Sequence, residues 1–380
     1  MKYSIGAISD QEWAEAEAYF KKNTKEIKFK KILTTGKKEH GRSFIRFGKK
    51  IYALDNQSKL GFYSEMDAGS GSFGRVKYGV DKNGNRVCVK ITNASHALNG
   101  SIMKYLSTTG YFLGQEKRTT KGGKLKVARG EEHDVSEKVY TAVKFSGENS
   151  LDDLVYKREL NAQDKIVICL HAMMEISVLH KAGFLHTDIK PDNFMVDIQG
   201  DRLVVTPIDL DDAKELTLGL FKSLYNEMFK NKNNAFTPAY AAPEVIKALK
   251  YSIESDIYSL GGMLKNMGAP RPLYSKMLDS DPTKRISLAV AMEGVADYLK
   301  KIEGNSVPIK QALESYEIFV KQNIEQSKPV QKTELGIKEA DLEKAAVVVF
   351  SGKEQLPEKI SSKTTESSEA YKAKSPKSKN

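Results

Sequence analysis

Phe184-Leu185-His186-Thr187-Asp188-Ile189-Lys190-Pro191-Asp192-Asn193 sets a carboxylate, an ammonium and an amide within six positions, from Asp188 to Asn193, and flanks them with apolar anchors. A plain helix-to-strand connection is the bland alternative, since Pro and Asn both favour loops. Three polar side chains of different chemical role at such short spacing point instead to a loop that performs chemistry. That reading calls for a nucleotide site and a metal site elsewhere in the chain.

Upstream lies Gly69-Ser70-Gly71-Ser72-Phe73-Gly74-Arg75-Val76-Lys77-Tyr78-Gly79-Val80. A GxGxxG pattern alone is shared with dinucleotide-binding folds and with simple glycine-rich turns. A dinucleotide fold would start a helix after the last glycine, whereas Val76, Tyr78 and Val80 alternate as in a strand and then meet the turn Asp81-Lys82-Asn83-Gly84-Asn85. Strand, glycine loop and strand is therefore predicted, and the bare amides of such a loop can approach phosphates closely. Arg86-Val87-Cys88-Val89-Lys90-Ile91 reads as the next strand. A lysine near a strand end is usually solvent-facing, but Lys90, one strand beyond the loop, can reach back to the same phosphates.

Together, Gly69-x-Gly71-x-x-Gly74-x-Val76, Val87-x-Val89-Lys90 and the loop around Asp188 resemble the protein kinase family. Downstream segments extend the resemblance. Leu203-Val204-Val205-Thr206-Pro207-Ile208-Asp209 looks like a strand delivering Asp209 to a metal position, and Thr237-Pro238-Ala239-Tyr240-Ala241-Ala242-Pro243-Glu244 is similar to the end of a Ser/Thr kinase activation segment. Asp256 resembles the buried helical aspartate that braces the catalytic loop, and Arg285 the arginine that pairs with Glu244. The resemblance covers about residues 60–300. It implies an α+β, bilobal protein kinase-like fold with a small antiparallel β N-lobe and a mainly helical C-lobe. The expected organisation is a basic N-terminal extension of a helix and short strands (1–59), the N-lobe (60–144), the C-lobe (145–303), a C-terminal helical extension (304–350) and a disordered tail (351–380).

The 380 residues can bury a large core, and 40% hydrophobic with 29% charged content is ordinary for a globular protein. No apolar run reaches the roughly 18 residues a membrane helix needs, and the first residues lack the apolar core of a secretory signal. Only Cys88 and Cys169 are present, so neither a disulfide framework nor a cysteine-rich metal site is expected, and no histidine pair has zinc-ligand spacing. A cytoplasmic protein is expected. The net charge is +11, of which residues 1–60 hold fourteen Lys or Arg against seven Asp or Glu, a surplus of seven. Scattered lysines without a nucleic-acid motif read first as a solvated surface, so no nucleic acid is expected; contact with an acidic partner or a membrane surface is the functional alternative. Nothing in the sequence sets an oligomeric state.

Phosphoryl transfer is mostly positioning and charge stabilisation. The resemblance implies that Gly69, Ser70, Gly71, Ser72, Phe73 and Gly74 cover the phosphates of ATP, that Lys90 holds its α- and β-phosphates, and that Asn193 with Asp209 binds Mg²⁺. Asp188 would orient and deprotonate the acceptor hydroxyl while Lys190 neutralises the γ-phosphate, and Lys190 with Thr237 is the Ser/Thr rather than the Tyr pattern. Val76, Cys88 and Met195 would enclose the adenine, although Cys88 and Met195 suit a plain core equally well. His186 reads as a packed structural residue, and Ile166, Cys169, Leu170, Met173 and Ile176, at helical spacing, as core.

Three positions depart from the pattern. The helix after the Lys90 strand, around His96 to Leu106, contains no acid to pair with the lysine, and Gly100 stands at the expected position. Glu116 falls in the following strand, and Glu131, Glu132 and Glu137 in or beside a polar insertion. Thr187 replaces the arginine that in the family commonly reads activation-loop phosphorylation. Asp211 stands where the metal motif has glycine, either as a tolerated substitution or as an added ligand. A short span from Asp256 to Arg285 implies a trimmed lower C-lobe. These divergent features are also similar, more weakly, to eukaryotic-like effector kinases of intracellular bacterial pathogens, which would place the protein in a host-cell cytoplasm after translocation. The expected activity is ATP- and Mg²⁺-dependent phosphorylation of Ser/Thr in protein substrates. The alternatives are a pseudokinase nucleotide-binding scaffold, favoured by Gly100 and Asp211, and a kinase-fold transferase acting on another acceptor.

Overall fold

The computed structural model describes residues 5, 7–35, 38–55, 74–93, 98, 100–126, 132–199, 202–216, 236–304 and 306–326. Two units are distinguished, Met1–Gln322 and Asn323–Asn380; of the second, only 323–326, the end of a helix, are described. The expected tail at 351–380 and most of the expected extension at 304–350 lie outside the described residues, as do Gly69 to Phe73.

Helix α1 (Asp10–Lys22) starts at the capping box expected from Ser9 and Glu12: the Ser9 hydroxyl accepts from Glu12 N at 3.3 Å, and Ser9 N donates to Glu12 Oε2 at 2.9 Å. Its buried face is Trp13, Ala16 and Phe20. Strands β1 (Lys28–Thr35), β2 (Lys38–Phe47) and β3 (Lys50–Asp55) follow. Ser43 to Phe47 is apolar on both faces for a reason. Phe44 meets Trp13 edge-to-face at 5.4 Å beneath α1, while Ile45 and Phe47 point into a second core with Tyr52 and Leu54.

Strands β4 (Gly74–Asp81), β5 (Arg86–Asn93), β6 (Phe112–Lys126) and β7 (Glu132–Lys144), with α2 (Gly100–Thr108) between β5 and β6, complete a seven-stranded antiparallel sheet ordered β1-β2-β3-β4-β5-β7-β6. Residues 28–55, which the sequence assigns to an N-terminal extension, thus contribute three strands to the sheet that carries Lys90, because β3 pairs directly with β4. β6 and β7 pair as far as Lys126 opposite Glu132, so the strands run into the expected polar insertion, of which residues 127–131, Glu131 among them, lie outside the described residues. The sheet curls until β6 meets β2 again: Gly48 N donates to Glu116 Oε1 at 3.3 Å, and a Cβ at Gly114 would lie 2.7 Å from Phe47 Cβ. Only glycine allows that approach. Inside the curl lie Ile45, Phe47, Tyr52, Leu54, Val87, Val89, Ile91, Tyr140 and Ala142.

The remainder of the first unit is mainly helical. After β8 (Asn149–Ser150) and α3 (Leu151–Tyr156) comes α4 (Ala162–Lys181), buried from Ile166 through Leu179 on most of its circumference, as a central helix must be. The expected stripe of Ile166, Cys169, Leu170, Met173 and Ile176 is core. Strands β9 (Phe184–Leu185), β10 (Phe194–Gln199), β11 (Arg202–Pro207) and β12 (Lys214–Glu215) form two small sheets, β11-β10-β8 and β12-β9. Helices α5 (Pro243–Ala248), α6 (Ile253–Asn266), α7 (Arg271–Tyr274), α8 (Leu288–Ile302) and α9 (Val307–Gln326) follow, with Leu260, Met263, Leu264, Val295, Leu299, Ile309 and Ala312 buried in the same core as α4. Each such Leu, Met, Val or Ile side chain contributes about 1.5–3 kcal/mol relative to exposure. No helix among the described residues is long and apolar enough to cross a membrane.

Candidate active site

The two small sheets bring the polar loops together. β9 pairs with β12, so the chain enters the Asp188 loop beside the segment that leaves Asp209, and Ile208 N donates to Asn193 O at 2.9 Å. Asp256, on α6, fixes the loop entrance: its Oδ2 accepts from His186 N at 2.9 Å and contacts His180 Nε2 at 2.8 Å, while Oδ1 accepts from Thr187 N at 3.0 Å. Thr187 adopts a left-handed φ of 71°, costly for a β-branched residue, and those bonds hold it there. The His186 imidazole is buried, and neither ring nitrogen has a hydrogen-bond partner among the described residues.

Within the loop, Lys190 Nζ lies 3.0 Å from Asp188 Oδ2 and donates to Thr237 Oγ1 at 2.9 Å. Thr237 donates to Asp188 Oδ1 twice, from its hydroxyl at 2.8 Å and its backbone N at 3.0 Å. Burial works against the charged form of Lys190, but Asp188, then Asp192 and Asp209, raise its pKa above the ordinary lysine value. A hydroxyl thus sits between the aspartate and the lysine, in the geometry needed to orient an acceptor hydroxyl.

Asn193 Nδ2 donates to Asp188 O at 2.8 Å and to Asp188 Oδ2 at 3.2 Å. The side-chain oxygens of Asn193 and Asp209 are donors of the hard, all-oxygen kind that suits Mg²⁺. Asp209 has a left-handed backbone (φ 62°) and opens a short 3-10 turn, Leu210–Asp212, anchored by buried Leu210. Lys90 lies opposite Val76 and Thr141 in the sheet. Its Nζ pairs with Asp209 and, at 2.6 Å, with Asp211 Oδ2. Burial disfavours the Lys90 ammonium, but the two carboxylates outweigh it and hold the group well above the ordinary lysine range. Lys90 lowers the pKa of Asp209, whereas burial raises that of Asp211 and pushes Asp212 up to about 6, Asp209 and Asp211 adding to the latter. The expected absence of an acid on α2 stands. Glu116 serves Gly48, and Glu137 pairs with Lys117 at 3.5 Å, so neither is the lysine's partner.

Val76 and Cys88 share one apolar cluster with Tyr78, Val143 and Phe145. Burial pushes the Cys88 thiol up to about 12, which leaves it an inert packing residue. Met195, on β10, is buried opposite Ser150 and Thr206. Gly69 to Phe73 lie outside the described residues, and Gly74 begins β4. Sequence reasoning passed over two residues here. Arg86 stacks on Phe145 at 3.8 Å and pairs with Glu148 at 3.0 Å, and the Tyr111 phenol, its pKa raised by burial, hydrogen-bonds Ser146. Neither belongs to a motif. Below the site Arg285 grips Glu244 through two bonds of 2.6 and 2.8 Å, as expected from the sequence.

A family model for the protein kinase domain matches residues 62–314. Among individual relatives, the chain is 31% identical over 140 residues to serine/threonine-protein kinase PAK 5 of Rattus norvegicus (37% of this chain, 18% of the relative). It is 30% identical over 140 residues to serine/threonine-protein kinase PAK 4 of Homo sapiens (37% and 22%). Serine/threonine-protein kinase shk2 of Schizosaccharomyces pombe is 31% identical over 177 residues (47% and 27%). The match therefore spans about a fifth to a quarter of the length of these relatives.

Proposed function

The chain belongs to the protein kinase family, and from that membership we propose that it transfers the γ-phosphate of ATP to Ser or Thr hydroxyls of protein substrates. The observation that carries the reading is Thr237 Oγ1, which donates to Asp188 at 2.8 Å and accepts from Lys190 at 2.9 Å. An acceptor hydroxyl displacing that contact meets a base and a cation together. Asp188 takes the hydroxyl proton, and Lys190 neutralises charge on the transferring group. Mg²⁺, when bound, would offset the charge of the phosphates; the Asp209 carboxylate and the side-chain oxygen of Asn193 are the groups that would hold it. Lys90, the cross-strand neighbour of Val76, would meet the α- and β-phosphates.

The test is incubation of the purified full chain with Mg²⁺ and γ-labelled ATP beside Asp188→Ala. Label on Ser or Thr of a substrate protein or of the chain itself, absent with the variant, supports the proposal. Nucleotide binding without transfer, under conditions that activate other members of the family, overturns it in favour of a nucleotide-binding scaffold. Transfer from α-labelled rather than γ-labelled ATP overturns it in favour of a different group transfer.

A further inference from the structure

A lysine that meets a phosphate must be held at a constant position, because its long stem otherwise samples many rotamers. Helix α2 (Gly100–Thr108) provides no acid for this, and Glu116 and Glu137 are engaged elsewhere. Among the described residues, the carboxylates that reach Lys90 both come from the turn after β11. Buried Leu210 pins that turn, and the residues on either side of it, Asp209 and Asp211, face the same ammonium. The two are not equivalent. Both carboxylates contact Lys90 Nζ, but the Asp209 side chain keeps 39% of its surface exposed, open to a ligand, whereas that of Asp211 keeps only 15%.

We propose that Asp211 is the positioning residue for Lys90: from the loop that carries the metal-ligand candidate it does what an acid on α2 would otherwise do, leaving Asp209 available to a divalent cation. The proposal rests on the reading of Lys90 as a phosphate-binding residue. Its physical basis is an imbalance of charge. Two carboxylates around one ammonium leave a net negative site that attracts a cation, and a cation that takes Asp209 leaves Asp211 as the lysine's partner. The position of Lys90 then follows the 209–212 turn, and a rotation of α2 cannot break the pair.

The experiment measures equilibrium binding of N-methylanthraniloyl-ADP to the full chain, in Mg²⁺ and in EDTA, for the parent, Lys90→Met, Asp211→Asn, Asp211→Glu and the double variant Lys90→Met/Asp211→Asn. Lys90→Met is expected to weaken binding roughly tenfold, the size of a lost charge-assisted contact. Asp211→Asn is expected to weaken it several-fold in Mg²⁺ and less in EDTA, where Asp209 still holds the lysine, Asp211→Glu to recover part of that loss, and the double variant to bind no more weakly than Lys90→Met alone, because Asp211 acts through the lysine. Losses that multiply in the double variant overturn the proposal. So does an Asp211→Asn loss in Mg²⁺ that persists undiminished in the Lys90→Met background, which would make Asp211 a metal ligand. An unchanged Asp211→Asn beside a weakened Lys90→Met overturns it while leaving the phosphate role of Lys90 intact; an unchanged Lys90→Met overturns both. Should Asp211→Asn fail to fold, Asp211→Glu alone and combined with Lys90→Met completes the same cycle.

Discussion

The Thr187 hydroxyl donates to the main-chain oxygen of Asp212 at 3.1 Å, joining the loop of Asp188 to the turn that carries Asp209. Where the family commonly has an arginine, this chain has a short cross-link between two polar loops. Thr187→Val keeps the shape and the left-handed strain but leaves the Asp212 carbonyl without that donor, and is expected to cost about 1 kcal/mol. Thr187→Gly also loses the bond, yet it relieves a strain on the order of 1–3 kcal/mol against a glycine entropy cost of about 1 kcal/mol. The glycine variant should therefore be the more stable of the two in urea unfolding; the reverse order would refute the account of Thr187.

Arg285 is fully buried at its side chain and makes four hydrogen bonds: two to Glu244, one to Glu254 O at 2.9 Å and one to Asp279 O at 2.8 Å. A lysine retains the charge but cannot span these acceptors, since its three donors radiate from one atom. Arg285→Lys is expected to lower stability by about 2–3 kcal/mol, below the roughly 3–5 kcal/mol of removing one partner of a buried pair outright. Guanidinium unfolding of both Arg285→Lys and Arg285→Ala checks the size and the order.

The loop of Asp188 was legible in the sequence because its residue types stand at short, fixed spacing, and the Asp209 strand and the Arg285–Glu244 pair through their resemblance to protein kinase motifs. The anchoring of Lys90 was not. Asp211 is conspicuous in sequence only as a misplaced acid, and its pairing arises when β5 and the turn after β11, far apart along the chain, meet across the site. Gly100 revealed that the usual partner was missing but not what replaced it. The same limit hid the sheet. Ser43 to Phe47 and Lys50 to Leu54 were readable as strands by alternation, whereas their union with β4 and the return of β6 onto Phe47 depend on contacts between distant strands, with Gly114 the sole local trace.

Lys28, on β1, has its pKa lowered from 10.5 to about 8, first by burial and then by Lys77, Arg118, Lys30 and Lys138. A group whose folded pKa lies below its unfolded value favours folding fully only above the unfolded pKa, and that contribution is lost as pH falls through the folded pKa. Charged Lys28 therefore weakens the fold below about pH 8. Lys28→Met removes the penalty and is expected to be more stable than the parent at pH 7, by on the order of 1–2 kcal/mol after allowance for partial exposure. The gain should shrink as pH rises from about 8 towards 10.5, in urea titrations at stepped pH. A constant difference across that range would mean that packing, not charge, distinguishes the variants.

Gly147 lies between β7 and β8, where the chain passes from the large sheet to the helical part, with φ at 134°. That backbone region excludes most residues with a Cβ, and here the space is excluded as well: a Cβ would lie 2.7 Å from Val196 O and 3.2 Å from Val196 C. Backbone atoms cannot yield as a flexible side chain can. Gly110 provides the comparison, with φ at 69° but its nearest neighbour, the mobile Lys144 Nζ, 3.6 Å away. Gly110→Ala should cost only the left-handed penalty of about 1–2 kcal/mol. Gly147→Ala adds overpacking of about 1–3 kcal/mol to its backbone strain and pushes β10 away from β8, where Met195 faces Ser150. Urea unfolding should rank Gly147→Ala clearly below Gly110→Ala, and nucleotide affinity should fall for the first and hold for the second. Equal stabilities would show that the chain shifts at this crossing without cost, and that the approach of Gly147 to Val196 does not set the position of β10.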